Sequence, residues 1–266
     1  MKETRSLPIK HKEELPGKKS LPGEELPTAP LWAHLEELRW TLIRCIIALI
    51  LCALPFGIFW REVFGFIALW PLSQSEPVPQ LIFTAPADAL YFIFKIALSF
   101  GSVLASPYLF FELWRFAAPG LYKSEKKTIL PVVLASTLCF ISGIVFCYFF
   151  LPLFLRFLIA FAEGMILPMF RVNEYFGFLM RICLVFGLVF ELPVVSYVLS
   201  KMGIIDHRFL IRYFRHAMVI IFIAAAVLTP PDVLSQILLA LPLIFFYCLG
   251  ILVSRFASRP KAENQS

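Results

Sequence analysis

The sequence predicts an all-α, polytopic membrane protein with six transmembrane helices and both termini in the cytoplasm. Three observations carry this reading. Of 266 residues, 60% are hydrophobic and 16% charged, whereas soluble domains are about 25% charged. The apolar residues fall into runs near the roughly 20 residues that span a bilayer. Lys and Arg gather on one side of those runs. Together these exclude a soluble cytosolic enzyme and a disordered scaffold, and they place the 29 Phe against lipid. The net charge of +6 belongs to membrane-flanking segments, so no nucleic-acid partner is expected.

Residues 1–31 come first, a polar stretch with Pro8, Pro16, Pro22, Pro27 and Pro30 and a repeated Glu-Glu-Leu-Pro unit. It lacks the apolar region of a signal peptide and reads as a flexible Pro/Lys/Glu-rich tail. The membrane domain occupies 32–256, and 257–266 form a cytoplasmic tail. The first span runs from about Trp40 to Trp60, with an aromatic at each boundary. The second runs from Pro86 to Glu112, broken only by Asp88 and Lys95. The third, Thr128 to Leu155, is uncharged. The fourth, Tyr175 to Ser200, holds Arg181 and Glu191. The fifth and sixth, Phe209 to Leu228 and Val233 to Ser254, are joined by Thr229-Pro230-Pro231-Asp232, a connection short enough to force a helical hairpin. Helix-interior prolines at Pro55, Pro107, Pro131, Pro152, Pro193 and Pro242 predict bent helices.

Orientation follows from the basic residues. Seven lie in the tail through Arg39, four between the second and third spans, four between Lys201 and Arg215 and three after the last span; the opposite side has Arg61, Arg156 and Arg171. The positive-inside rule puts both termini in the cytoplasm, which requires an even number of spans.

Six cysteines sit inside apolar runs without zinc-type spacing, so they read as core residues, and no metal or cofactor is expected. Hydrolase, metalloprotease and P-loop motifs are absent from the sequence, and no internal repeat suggests an inverted-repeat transporter.

Several residues still ask for a role. Glu36 and Glu37 precede the first span in an amphipathic stretch expected to lie along the cytoplasmic interface, where a carboxylate serves either as a solvated helix start or as a partner for a cation. Glu112 and Glu125 flank the Pro119-Gly120 turn among lysines. Glu191 lies deep in the fourth span, where a charge costs roughly 2.5–3.5 kcal/mol, so it is expected to face protein or a polar cavity. Lys95 can snorkel. Asp232 fits a helix cap, and Gln236 follows one turn later on the same side. On these grounds alone, the chain is a non-enzymatic six-span receptor or transporter.

Four motifs narrow this further: His34-Leu35-x-Glu37-Leu38-Arg39; Lys95 through Pro107 and Trp114 to Pro119-Gly120-Leu121-Tyr122 and Glu125; Phe186-Gly187-x-x-Phe190-Glu191-x-Pro193; and Thr229-Pro230-Pro231-Asp232-x-x-Ser235-Gln236 with Ala240 and Pro242. In this order, over Trp32 to Phe256, they resemble the TatC family of twin-arginine translocase receptors. The resemblance implies a glove-like concave bundle in the cytoplasmic membrane. It also implies that Arg-Arg signal peptides of folded proteins dock at Glu37 and Glu125, with Arg39 in the same region. Partners of the single-span TatA/TatB type, a homo-oligomeric receptor complex and transport driven by the proton-motive force are implied as well. Glu191 corresponds to the buried polar residue of the concave face, and Pro71, Asp232 and Gln236 to functional external positions. The chain departs from the family pattern at Phe111-Glu112, where Tyr-Gln is frequent, and at Asp88 and Cys248, where Glu is common.

Overall fold

A computed structural model describes residues 31–65, 69–74, 78–117, 129–160, 169–229 and 232–257. The N-terminal tail, Glu125 and the Pro230-Pro231 turn fall outside them. Ten helices are described: α1 (Leu31–Ile58), α2 (Trp60–Val63), α3 (Leu69–Ser73), α4 (Asp88–Ala117), α5 (Ile129–Ala160), α6 (Val172–Phe190), α7 (Leu192–Lys201), α8 (His207–Arg212), α9 (Phe214–Leu228) and α10 (Val233–Ala257).

Five stretches are long and apolar enough to cross a membrane: α1, α4, α5, α6 with α7, and α10. The expected fifth span departs from its predicted form. It divides at Tyr213 into α8 and the 15-residue α9, which at 1.5 Å per residue covers about 22 Å. The fourth span also divides, because Pro193 cannot donate a helical hydrogen bond; α6 stops at Phe190, Glu191 forms the turn and α7 restarts with Pro193 in its first turn. Pro55, Pro107, Pro152 and Pro242 instead remain inside continuous helices.

One further expectation is corrected, and one small feature is added to the helical fold. The residues before Trp40 are not a separate interfacial helix: α1 runs unbroken from Leu31 through the first span, since nothing between Glu37 and Arg44 interrupts helical hydrogen bonding. The fold also contains a two-stranded parallel ribbon, β1 (Gln80–Ile82) with β2 (Met169–Arg171), paired Gln80 to Met169 through Ile82 to Arg171. It ties together the segments leading into α4 and α6.

Small residues allow the closest helix approaches, as expected where lipid supplies no hydrophobic drive between helices. A Cβ on Gly101 of α4 would lie 2.7 Å from Ala53 Cα on α1. One on Gly143 of α5 would lie 2.7 Å from Phe186 O on α6. The principal core joins α5, α6, α9 and α10 through Leu151, Phe154, Leu179, Phe186, Ala225 and Leu239. A second gathers around Phe92 of α4, whose ring meets Phe176 at 5.3 Å and Phe64 at 4.9 Å, both edge-on. The cytoplasmic end of α7 closes on Gly203 at φ +73°, where the Gly203 amide donates to Ser200 O and the Ile204 amide to Leu199 O, a left-handed cap that glycine adopts without strain. The cysteines are all free, and Cys248 is exposed rather than in the core.

Candidate functional site

The cytoplasmic ends of α1 and α4 assemble a charged cluster. On α1, positions 37, 41 and 44 follow the i, i+4, i+7 spacing of a single stripe. Thr41 is buried and Arg44 faces α4, so Glu37 lies on the same stripe, about 10 Å from Arg44 along the axis, and is exposed. Arg39, two residues on, projects from roughly the opposite side of the helix. It is exposed at the same end of α1 as Glu37, but off the Glu37 stripe.

Glu112 is the keystone of this cluster. Its side chain is 1% exposed and sits between two guanidinium groups: Arg44 Nε at 3.2 Å from Oε1 and Arg115 Nη2 at 2.7 Å from Oε2. Tyr108 OH donates to Oε1 at 2.9 Å, and Arg44 Nη2 donates to Thr41 Oγ1 at 3.3 Å. The arginines come from different helices, so the carboxylate pins α1 to α4 at this level, while each arginine side chain stays about two-fifths exposed. Sequence spacing shows that Tyr108 and Arg115 are within reach of Glu112 on one helix. It gives no sign of Arg44, which comes from α1 by tertiary packing, so the cluster is not legible in the sequence.

Glu191 is 6% exposed. Its carboxyl group is directed at Ser136 and Phe140 of α5, and Oε1 is buried without a hydrogen-bond partner among the described residues. Ser136 also accepts a bond from Trp114 Nε1 at 2.9 Å. The residue is therefore inside the bundle and not against lipid. Lys95 lies toward the other end of α4 and donates from Nζ to Asn173 O at 3.0 Å.

The external positions separate by role. Pro71 is fully buried in α3, next to Trp70, whose ring stacks on Tyr148 at 5.0 Å. A ring enclosed in this way acts through packing. Asp232 caps α10 by accepting from the Ser235 amide at 2.7 Å. Gln236 Nε2 donates to Phe222 O of α9 at 2.9 Å, locking the register of the α9–α10 hairpin. Asp88 organises its own loop: its Oδ2 accepts from the amides of Thr84 and Ala85, each at 2.9 Å. Among the described residues no group of His, Cys, Asp and Glu is arranged to hold a metal ion.

Comparisons with known proteins find related chains and a similar fold. Residues 33–242 match the family model described as Sec-independent protein translocase protein (TatC). The chain is similar to the Sec-independent protein translocase protein TatC of Aquifex aeolicus, 38% identical over 239 residues that cover 89% of this chain and 99% of the relative. It is 37% identical over 234 residues to that of Helicobacter pylori strain J99, covering 88% and 92%. Its fold is similar to a crystal structure of a twin arginine translocase receptor, TatC, with a TM-score of 0.78 and 37% identity over 85% of this chain and all of the other.

Proposed function

The chain belongs to the TatC family, whose members are multi-pass translocase components of the cytoplasmic membrane and not enzymes, and from that premise we propose that it docks the Arg-Arg signal peptides of folded proteins through Glu37 and Glu125. The observation that carries this reading is the division of charge at the cytoplasmic end. Arg44 and Arg115, two of the basic groups next to this surface, are already engaged by buried Glu112, and Arg39 projects from the other side of α1. Glu37 keeps an exposed carboxylate with no ion pair among the described residues. Carboxylates suit guanidinium groups through paired, charge-assisted hydrogen bonds. Glu125 follows ten residues after Arg115, in the connection that leaves the clamped end of α4. Exposed ion pairs are worth only about 0–1 kcal/mol each, so the apolar part of the signal peptide contributes most of the binding energy by packing on the chain.

Partners of the TatA/TatB type dock, on this reading, against the α9–α10 hairpin, and the assembled complex of several receptor copies moves its passenger using the proton-motive force. The outer face of α9 supports the partner assignment, because Val219, Ile220, Ile223 and Val227 are all exposed and α9 falls short of the roughly 30 Å hydrocarbon thickness. Asp232 acts here by capping α10 and Gln236 by joining it to α9, and Pro71 by packing inside the external end.

The test is photocrosslinking of an Arg-Arg signal peptide to membranes containing the chain. The double change Glu37→Gln with Glu125→Gln abolishes the crosslink, and a Lys-Lys peptide gives little with either protein. Unchanged crosslinking at ordinary salt removes both carboxylates from the site.

A further inference from the structure

A second polar site lies between α4 and α6, toward the external end, away from the cytoplasmic cluster. A cavity of about 280 Å³ is lined by Lys95, Ser99, Asn173, Glu174 and Arg181, with Gly177 between the two charged residues of α6. Glu174, Gly177 and Arg181 follow the i, i+3, i+7 spacing of one stripe.

Neither cation has a carboxylate partner among the described residues. Lys95 spends one ammonium hydrogen on Asn173 O, and Arg181 spends its Nε on Gly177 O at 3.1 Å. Two ammonium hydrogens and both terminal amino groups of the guanidinium remain for an occupant. Each side chain reaches back toward the external boundary, as long cationic side chains do when the alternative is hydrocarbon. Acceptors are also present. Glu174 is exposed, and Asn173 is buried with an Oδ1 that meets no donor among the described residues.

The cavity continues into an apolar groove of about 200 Å³ between α4, α5 and α6, which shares Ser99, Met180 and Arg181 and adds Val103, Ile144 and Leu184. Val103 and Leu184 lie further along α4 and α6 than Lys95 and Gly177, so the site is polar at the membrane boundary and apolar inward. That polarity matches a lipid standing in its own leaflet.

We propose that this groove binds one phospholipid with a primary-amine headgroup, its phosphate held by Lys95 and Arg181, its ammonium by Glu174 and Asn173 Oδ1, and an acyl chain in the apolar continuation. Charge complementarity selects this occupant. A purely anionic headgroup leaves Glu174 opposite negative charge. A carboxylate on a neighbouring transmembrane helix answers the two cations and leaves both acceptors unmet.

The experiment uses the full chain, purified and stripped of lipid in detergent, and counts retained lipid by native mass spectrometry after addition of phosphatidylethanolamine, phosphatidylglycerol or diacylglycerol. One phosphatidylethanolamine per chain is retained, in preference to the other two. Lys95→Gln with Arg181→Gln lowers retention at least tenfold, and Glu174→Gln removes the preference over phosphatidylglycerol, a change of selectivity that loss of packing does not produce. Ser99→Phe, which fills the junction of the two cavities without altering charge, also abolishes retention and serves if the double variant does not fold. Equal retention of diacylglycerol, undiminished retention in the Ser99 and double variants, or stabilisation by inorganic phosphate with no lipid retained overturns the proposal.

Discussion

Two buried carboxylates show how differently one residue type behaves inside this bundle. Glu112 is compensated, with two guanidinium groups and a phenol on its oxygens. Glu191 has no cation, and one of its oxygens lacks any hydrogen-bond partner among the described residues. Removing one member of a buried ion pair costs about 3–5 kcal/mol, because it strands the other charge. The arginines around Glu112 can turn to water, so the expected loss for Glu112→Gln is smaller, about 1–2 kcal/mol. Glu191→Gln has the opposite expectation, since it relieves a carboxyl group that is poorly paired in an apolar interior. Thermal unfolding in detergent checks both: the Glu112 variant melts lower than the parent, and the Glu191 variant melts at the same temperature or higher while exporting less passenger. A lower melting temperature for both contradicts the assignment of Glu191 as an uncompensated group kept for function.

At the scale of elements, contact between helices is controlled by glycines at the crossings. A Cβ at Gly143 meets Phe186 O at 2.7 Å and Gly187 Cα at 2.9 Å, both backbone atoms that cannot rotate away. Gly143→Val therefore forces α5 from α6, and overpacking of this kind costs about 1–3 kcal/mol. Gly57→Ala is the matched control, because its Cβ reaches only ordinary contact with Ala97 at 3.5 Å. Melting temperature falls for the first and holds for the second; equal behaviour means that the α5–α6 crossing is not set by close approach. Hydrogen bonds between elements make smaller contributions. Ser200 and Ser254 join α7 to α10 at 2.6 Å, and Tyr247 OH donates to Leu210 O at 3.0 Å. Bonds of this type average about 0.6 kcal/mol in a membrane, so they fix register more than they supply stability.

For the whole molecule, the distribution of Lys and Arg and the paths of the helices make one joint statement about orientation. The α3 region and the β1–β2 ribbon form the external end, with Arg156 Nε on α5 donating to Gln74 O at 2.6 Å and Arg171 placed 4.0 Å from Asp88. The cytoplasmic end carries Glu37 and the Glu112 cluster. In a cysteine-free version, Gln74→Cys is expected to label with an impermeant thiol reagent from outside intact cells, and Ser124→Cys only after the membrane is opened. The reverse pattern overturns the orientation, and with it the side on which signal peptides are met.

Composition, run length and charge asymmetry determined by themselves that this chain is a helical membrane protein, roughly where its helices lie and which way they point. These properties are additive along the chain: each residue contributes its own transfer energy or charge wherever its neighbours sit. The same local logic made Asp232 a cap and Pro193 a break in the helix. Four motifs were enough for the family resemblance, so Glu37 and Glu191 could be singled out before any coordinates. The tertiary structure alone decided what the charges do. Arg44 and Glu112 are 68 positions apart in the sequence and meet because α1 packs along α4. Pro71 is buried because α3 folds under α5, and Lys95, Glu174 and Arg181 share one cavity because β1 and β2 align α4 with α6. Pairing, burial and enclosure depend on distances between segments remote in the chain, and helical periodicity carries no information about those distances.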